Sequence, residues 1–152
     1  MIQVASFRVG PQEYALDIMQ IKEIINPVAI TPVPKAPEFI EGIVELRGAV
    51  LPVVDLRKRF DVDAGAITRA SKYVIVALEG HIVGLVVDGV RDVARLEPSD
   101  LLDAPAMAVG LDARFVTGVF KRDERIIMML DVDEILSSSE KSLLAGLGRG
   151  SH

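Results

Sequence analysis

Apolar and polar residues alternate from the start of the chain. Ile2 to Val9 and then Tyr14-Ala15-Leu16-Asp17-Ile18 carry the two-residue period of strands, with Gly10-Pro11 as the turn between them. Ile43-Val44-Glu45-Leu46 and Ala49-Val50-Leu51-Pro52-Val53-Val54 are rich in β-branched residues and break at Arg47-Gly48. Pro52 predicts an edge position for the second of these, because proline donates no ladder hydrogen bond. Tyr73 to Leu78, His81 to Val87, Phe115 to Phe120 and Arg125 to Leu130 add four more strands. Helical signals are brief: one or two turns over Ile18 to Ile25 and over Leu56 to Phe60. A longer helix is expected after Ser137, where Ser137-Ser138-Ser139-Glu140 has the form of a capping box. Pro27, Pro32, Pro34 and Pro37 force an extended loop. Many short strands with Gly and Pro turns predict a mainly β protein built of compact barrels rather than a parallel sheet.

The pattern repeats. Gly42-Ile43-Val44 through Val54-Asp55-Leu56 to Phe60 lies without gaps on Gly118-Val119-Phe120 through Leu130-Asp131-Val132 to Leu136. Tyr14-Ala15-Leu16 through Ile21-Lys22-Glu23-Ile24 lies in the same way on Val83-Gly84-Leu85 through Val90-Arg91-Asp92-Val93. Two blocks in the same order in both halves predict a duplicated β unit, joined near Asp61 to Ser71, with a cleft between the halves.

Composition narrows what such a fold can do. The chain has 152 residues, half of them hydrophobic, and a net charge of −5. That sign disfavours a phosphate backbone as partner. Aromatics are 5% of residues and Trp is absent, which leaves little for stacking bases; Phe7, Tyr14, Phe60, Phe115 and Phe120 sit at core-like positions. Nucleic acid is therefore not an expected partner. With no Cys there is no disulfide and no thiolate chemistry. The apolar runs Val83 to Val87 and Ile126 to Leu130 stop at Asp88 and Asp131, far short of a membrane span, and no leader pattern opens the chain. A cytoplasmic protein with no direct membrane insertion is expected. Arg149-Gly150-Ser151-His152 reads as a tag remnant, outside a single domain over 1–148, which leaves His81 as the native histidine.

Catalytic patterns are missing. There is no phosphate-binding glycine loop, no G-x-S-x-G elbow and no H-E-x-x-H pair. His81 follows Gly80 in a hairpin turn. Asp61-Val62-Asp63-Ala64-Gly65 lacks the glycine and glutamate placement of a calcium loop, with Lys72 at its twelfth position. Asp131 ends a strand, and Asp133-Glu134 charge the start of a short helix. No enzyme activity, metal or cofactor is expected.

The run Ile43-Val44-Glu45-Leu46-Arg47-Gly48-Ala49-Val50-Leu51-Pro52-Val53-Val54-Asp55-Leu56-Arg57 resembles the signature of the chemotaxis coupling-protein (CheW-like) family, roughly G-[apolar]₂-N-L-R-G-x-[apolar]₂-P-[apolar]₂-D-L-R. Tyr14 to Ile24, Val83 to Val90 and Phe115 to Gly118 are similar to its other motifs, and the similarity runs from about Ile2 to Leu144. Glu45 departs from the pattern, standing where it has asparagine. The resemblance implies two SH3-like five-stranded β-barrel subdomains, approximately 12–65 and 66–136, with the N-terminal strand and a C-terminal helix packed on them. It implies a non-enzymatic adaptor that couples a chemotaxis histidine kinase, through its regulatory domain, to the helical hairpin tip of a chemoreceptor, and so recruitment to membrane-associated arrays. It also implies site residues. Ile21 and Glu23 fall in the short helical stretch associated with receptor contact, Arg47 is the signature arginine, and Val74 and Val93 match apolar positions lining the groove. A Glu23–Arg47 pair is expected at the groove mouth. On sequence alone, Ile21, Val74 and Val93 read more often as core than as contact residues, and the resemblance brings the two readings level; Glu23 also reads as a solvated charge and Arg47 as a turn residue. A coupling protein of a related chemosensory pathway and a small-molecule-binding β-barrel stand as alternatives.

Overall fold

The computed structural model describes residues 1–60, 62, 65–78, 80–103 and 115–136. Ten strands follow one another: β1 Ile2–Val9, β2 Gln12–Asp17, β3 Ile21–Ile25, β4 Ile40–Leu46, β5 Ala49–Asp55, β6 Lys72–Leu78, β7 His81–Val87, β8 Gly89–Leu96, β9 Val116–Arg122 and β10 Arg125–Leu130. They form two five-stranded sheets, ordered β8-β1-β2-β10-β9 (sheet A) and β3-β6-β7-β5-β4 (sheet B). One short helix, α1 (Leu56–Arg59), follows β5, where the Asp55 side chain accepts a hydrogen bond from the Arg57 amide. No helix among the described residues is long and apolar enough to cross a membrane.

The duplication shows in the backbone pairing. In sheet B, parallel β5 and β7 pair Val53 with Gly84; in sheet A, β10 and β2 pair the matching residues, Met129 with Ala15. The β3–β6 ladder shifts register between Ile21 and Glu23, and the β8–β1 ladder shifts at the matching place, between Val90 and Asp92. Asp55 donates its amide to the Phe39 carbonyl and Asp131 donates to Phe115, both at 2.7 Å. Asp131 then caps a 3-10 turn, Val132–Glu134, as Asp55 caps α1.

Sheet membership does not follow the expected division at residue 65. Counting β1–β5 and β6–β10 as the two repeats, each sheet takes two strands from one repeat and three from the other. The chain passes from sheet to sheet at Ile18–Gln20, a single 3-10 turn, and again at Asp88. β3 is a strand rather than the continuation of a helix, because Glu23, Ile24 and Ile25 pair with Ile75, Val74 and Tyr73 of β6. Pro52 is not on an edge strand, since β5 lies between β7 and β4. Ile43 exchanges both backbone hydrogen bonds with Thr31, so its cross-strand partner Pro52 is not asked to donate toward β4, and pairing with β7 begins only at Val53. The expected helix after Ser137 and the terminal tag fall outside the described residues.

The described residues form three apolar clusters. Val4, Ala15, Phe120, Ile127 and Met129 lie within sheet A, and Val44, Leu51, Val53, Tyr73 and Ile75 within sheet B. The third and largest draws on both sheets, including Phe7, Tyr14, Leu16, Val74, Val76, Leu85, Met128 and Leu130. Central strands are therefore buried on both faces, which is why Val83 to Val87 reads as a continuous apolar run.

Gly42 shows how tightly the repeat is packed. Its φ is +147°, and a Cβ there would stand 2.2 Å from the Thr31 carbonyl oxygen; at the matching Gly118 a Cβ would stand 2.9 Å from the Leu102 oxygen. Each glycine admits the strand-like bridge beside it, Thr31 with Ile43 and Leu102 with Val119. Gly42→Ala is expected to cost about 2 kcal/mol through backbone strain and a displaced 31–43 bridge, read as a lowered urea midpoint. An unchanged midpoint would show that the loop relaxes freely.

Candidate coupling surface

Glu23 sits on β3, one end strand of sheet B, and Arg47 on the two-residue turn beside β4, the other end strand. The two side chains form an ion pair that links the two ends of the sheet. Arg47 has φ +50° and Gly48 φ +82°, left-handed values at both positions of a tight hairpin turn. A left-handed arginine costs roughly 1–2 kcal/mol. Its partner does not offset that, because the Arg47 side chain is 67% exposed and exposed pairs are worth about 0–1 kcal/mol.

Sheet A carries a related contact, made from an interior strand. Arg125, at the start of β10, donates to both carboxylate oxygens of Glu13 at 3.1 and 3.0 Å and approaches Asp92 on end strand β8 at 3.6 Å. Asp92 is the repeat counterpart of Glu23.

The other expected site residues divide by burial. Val93 on β8 is 54% exposed. Ile21 is half-buried and leans on the shared core. Val74 is fully buried on β6, between β3 and β7, with its side chain in that core; it lines no groove, and its role is packing. Ile24 was not singled out from sequence, yet it is an exposed apolar residue beside Glu23, as Val93 is beside Asp92. The repeat alignment, which pairs Ile24 with Val93, carried that signal.

A second charge cluster is buried. Arg57 donates from Nε and Nη2 to the two oxygens of Asp55 at 3.0 and 2.9 Å, and from Nη1 to Asp88 at 3.2 Å. Asp88 also accepts from the Gly10 amide at 2.7 Å. The crossover into β8 is thereby tied to the β1–β2 turn. Sequence reasoning passed over Arg57 because nothing in a strand-end Asp-Leu-Arg distinguishes a buried clasp from a solvated turn.

A family model described as a CheW-like domain matches residues 3–140. The chain belongs to the CheW-like family. Among similar proteins, the chemotaxis protein CheW of Rhizobium meliloti is 33% identical over 91% of this chain and 90% of its own length. That of Thermotoga maritima is 35% identical, covering 88% and 87%. The crystal structure of the scaffolding protein TtCheW from Thermoanaerobacter tengcongensis is similar with a TM-score of 0.84 at 32% identity, over 91% of this chain and 90% of that one. The two five-stranded sheets match the two SH3-like subdomains of the CheW fold. CheW is a scaffold or adaptor family rather than an enzyme family. In this CheW-like chain the signature divides physically: Asp55 and Arg57 are buried and hold the fold, while Arg47 is exposed. Among the described residues apolar side chains cluster within each sheet, and the depression lined by Asn26, Pro27, Ile67, Thr68 and Arg69 is open to the outside.

Three groups bias stability at high pH. The Arg57 guanidinium is held above its ordinary value, chiefly by its hydrogen bonds to Asp55. Lys58 is raised by its hydrogen bond to Glu41. The Tyr73 phenol is raised by burial, with Glu41 and Asp55 adding to the effect. All three bind protons more tightly folded than unfolded. Their contribution is complete below the unfolded values and lost as pH rises through the folded ones. Thermal melts are therefore expected to show a falling Tm above about pH 10, less steep in Tyr73→Phe. A flat Tm through that range would contradict the assignment.

Proposed function

We propose that this protein is a non-enzymatic coupling adaptor that links a chemotaxis-type histidine kinase to the cytoplasmic tip of a chemoreceptor, working in the cytoplasm at membrane-associated arrays. The observation that carries the surface assignment is the Glu23–Arg47 pair: a strained, exposed arginine on a tight hairpin turn, with uncovered Ile24 beside its partner. Strain that yields no stability is a mark of a functional position. An arginine fork and an adjacent apolar edge suit a helical partner with one charged and one apolar face. The test is co-sedimentation of the purified chain with receptor-bearing membranes and kinase from the same host. Co-sedimentation of kinase that depends on the chain supports the reading; kinase recovery that is the same without it refutes it.

A further inference from the structure

Among the described strands the chain crosses between the sheets twice, and the repeat places the crossovers at matching positions: Ile18–Gln20 between β2 and β3, and Asp88 between β7 and β8. They are held very differently. Asp88 is fixed to three other segments. Its amide donates to the Arg8 carbonyl at 2.8 Å, and its carboxylate accepts from the Gly10 amide at 2.7 Å and from Arg57 Nη1 at 3.2 Å. In the repeat alignment Asp88 falls on Met19 and Arg57 on Asp133, so the first crossover has neither the acceptor nor the cation. Met19 is 87% exposed, and no residue of Ile18–Gln20 is buried. Among the described residues the side-chain bonding of this turn is local, with Asp17 accepting from the Met19 amide at 2.9 Å. The neighbouring ladders differ in the same sense. Parallel β5 and β7 stay paired up to Asp55 and Val86, at the clasp. Parallel β10 and β2 pair only as far as Met129 and Ala15, two residues short of the matching Asp131 and Asp17.

We propose that the fold contains one fixed joint and one yielding joint: the sheets rotate slightly about the Asp88 clasp, and Ile18–Gln20 absorbs the movement. A buried ion cluster with its hydrogen bonds made resists displacement, because any shift leaves a charge unpaired in a low-dielectric site. An exposed 3-10 turn gives up nothing comparable, and short segments at element ends are where hinge rotations are taken up. The largest apolar cluster draws on both sheets, so the movement is a small shear that keeps this core closed rather than a separation. Because Ile18–Gln20 leads directly into β3, the movement carries Glu23 and Ile24 with sheet B relative to sheet A, while the start of β8 keeps its distance from sheet B.

The chain has no cysteine, so introduced pairs take spin labels at defined sites of the full chain. Exposed positions serve for each. Lys22→Cys with Thr117→Cys spans the first joint, Arg91→Cys with Glu38→Cys spans the second, and Lys22→Cys with His81→Cys stays within sheet B. The measurement is the distribution of interspin distances. Across the first joint it is expected to be roughly twice as broad as across the second, with the pair inside sheet B as narrow as the second. Asp88→Asn, added to the Arg91/Glu38 pair, is expected to broaden it toward the first. Equal widths across the two joints overturn the proposal. So does an equally broad Lys22/His81 pair, which would be fraying of β3 alone, and so does an Arg91/Glu38 width that Asp88→Asn leaves unchanged. Should Asp88→Asn fail to fold, the three pairs in the otherwise parental chain decide.

Discussion

Arg57→Ala should unfold at a much lower urea concentration than the parent, with a loss of about 3–5 kcal/mol. The reason is what the truncation leaves behind. Asp55 is fully buried and Arg57 nearly so, and the single guanidinium is the cation that both Asp55 and Asp88 face. Without it, a buried carboxylate keeps only the amide of residue 57, and Asp88 keeps only Gly10. Asp88→Asn should cost less, because Asp88 is a quarter exposed and water can replace part of what is lost. A near-parental midpoint for Arg57→Ala would mean that the cluster is already hydrated.

Arg47→Ala should do the reverse. Its melting temperature is expected to change little, because an exposed pair contributes about 0–1 kcal/mol and the substitution removes no core contact. Coupling to receptor and kinase should fall by about thirtyfold, corresponding to roughly 2 kcal/mol at the lower end of what truncating one partner of an interfacial charge pair costs. The two measurements belong on the same preparation: a thermal melt and a receptor–kinase co-sedimentation. Easy unfolding would assign Arg47 to the fold, and normal coupling would take it out of the surface.

Most of the fold was legible in the sequence, since the strands buried on both faces, such as β6, β7 and β10, write their burial as apolar runs. The two strands that escaped a strand reading, β3 and β8, are end strands. β8 is mostly exposed and carries Arg91, Asp92 and Arg95, so burial leaves almost no period to read. Their counterpart status was nevertheless visible, because Ile21 to Ile24 aligns on Val90 to Val93. The alignment could not reveal how strands sort between sheets: a repeat specifies local pairing, and both arrangements of the repeats satisfy the same local pattern. Val74 illustrates the limit for the site. An aliphatic residue on a strand carries no mark of which face it uses, and only its central place between β3 and β7 puts it in the core. The Glu23–Arg47 pair was inferred through the family resemblance, and the structure brings the two side chains together from opposite ends of sheet B.

The exchange of strands between sheets sets an order of assembly on the ribosome. Sheet B uses only residues from Ile21 to Val87, a continuous stretch that can close soon after it leaves the exit tunnel. Sheet A takes the first and the last of the described strands, and β2 cannot find β10 until residue 130 has been made. The β1–β2 hairpin emerges first and must wait, with Tyr14 and Leu16 lacking the Met128 and Leu130 that β10 adds to their core. Late pairing of distant strands is slow and leaves edges open to other chains. Newly made protein is thus most vulnerable to aggregation in the interval before the β9–β10 hairpin appears.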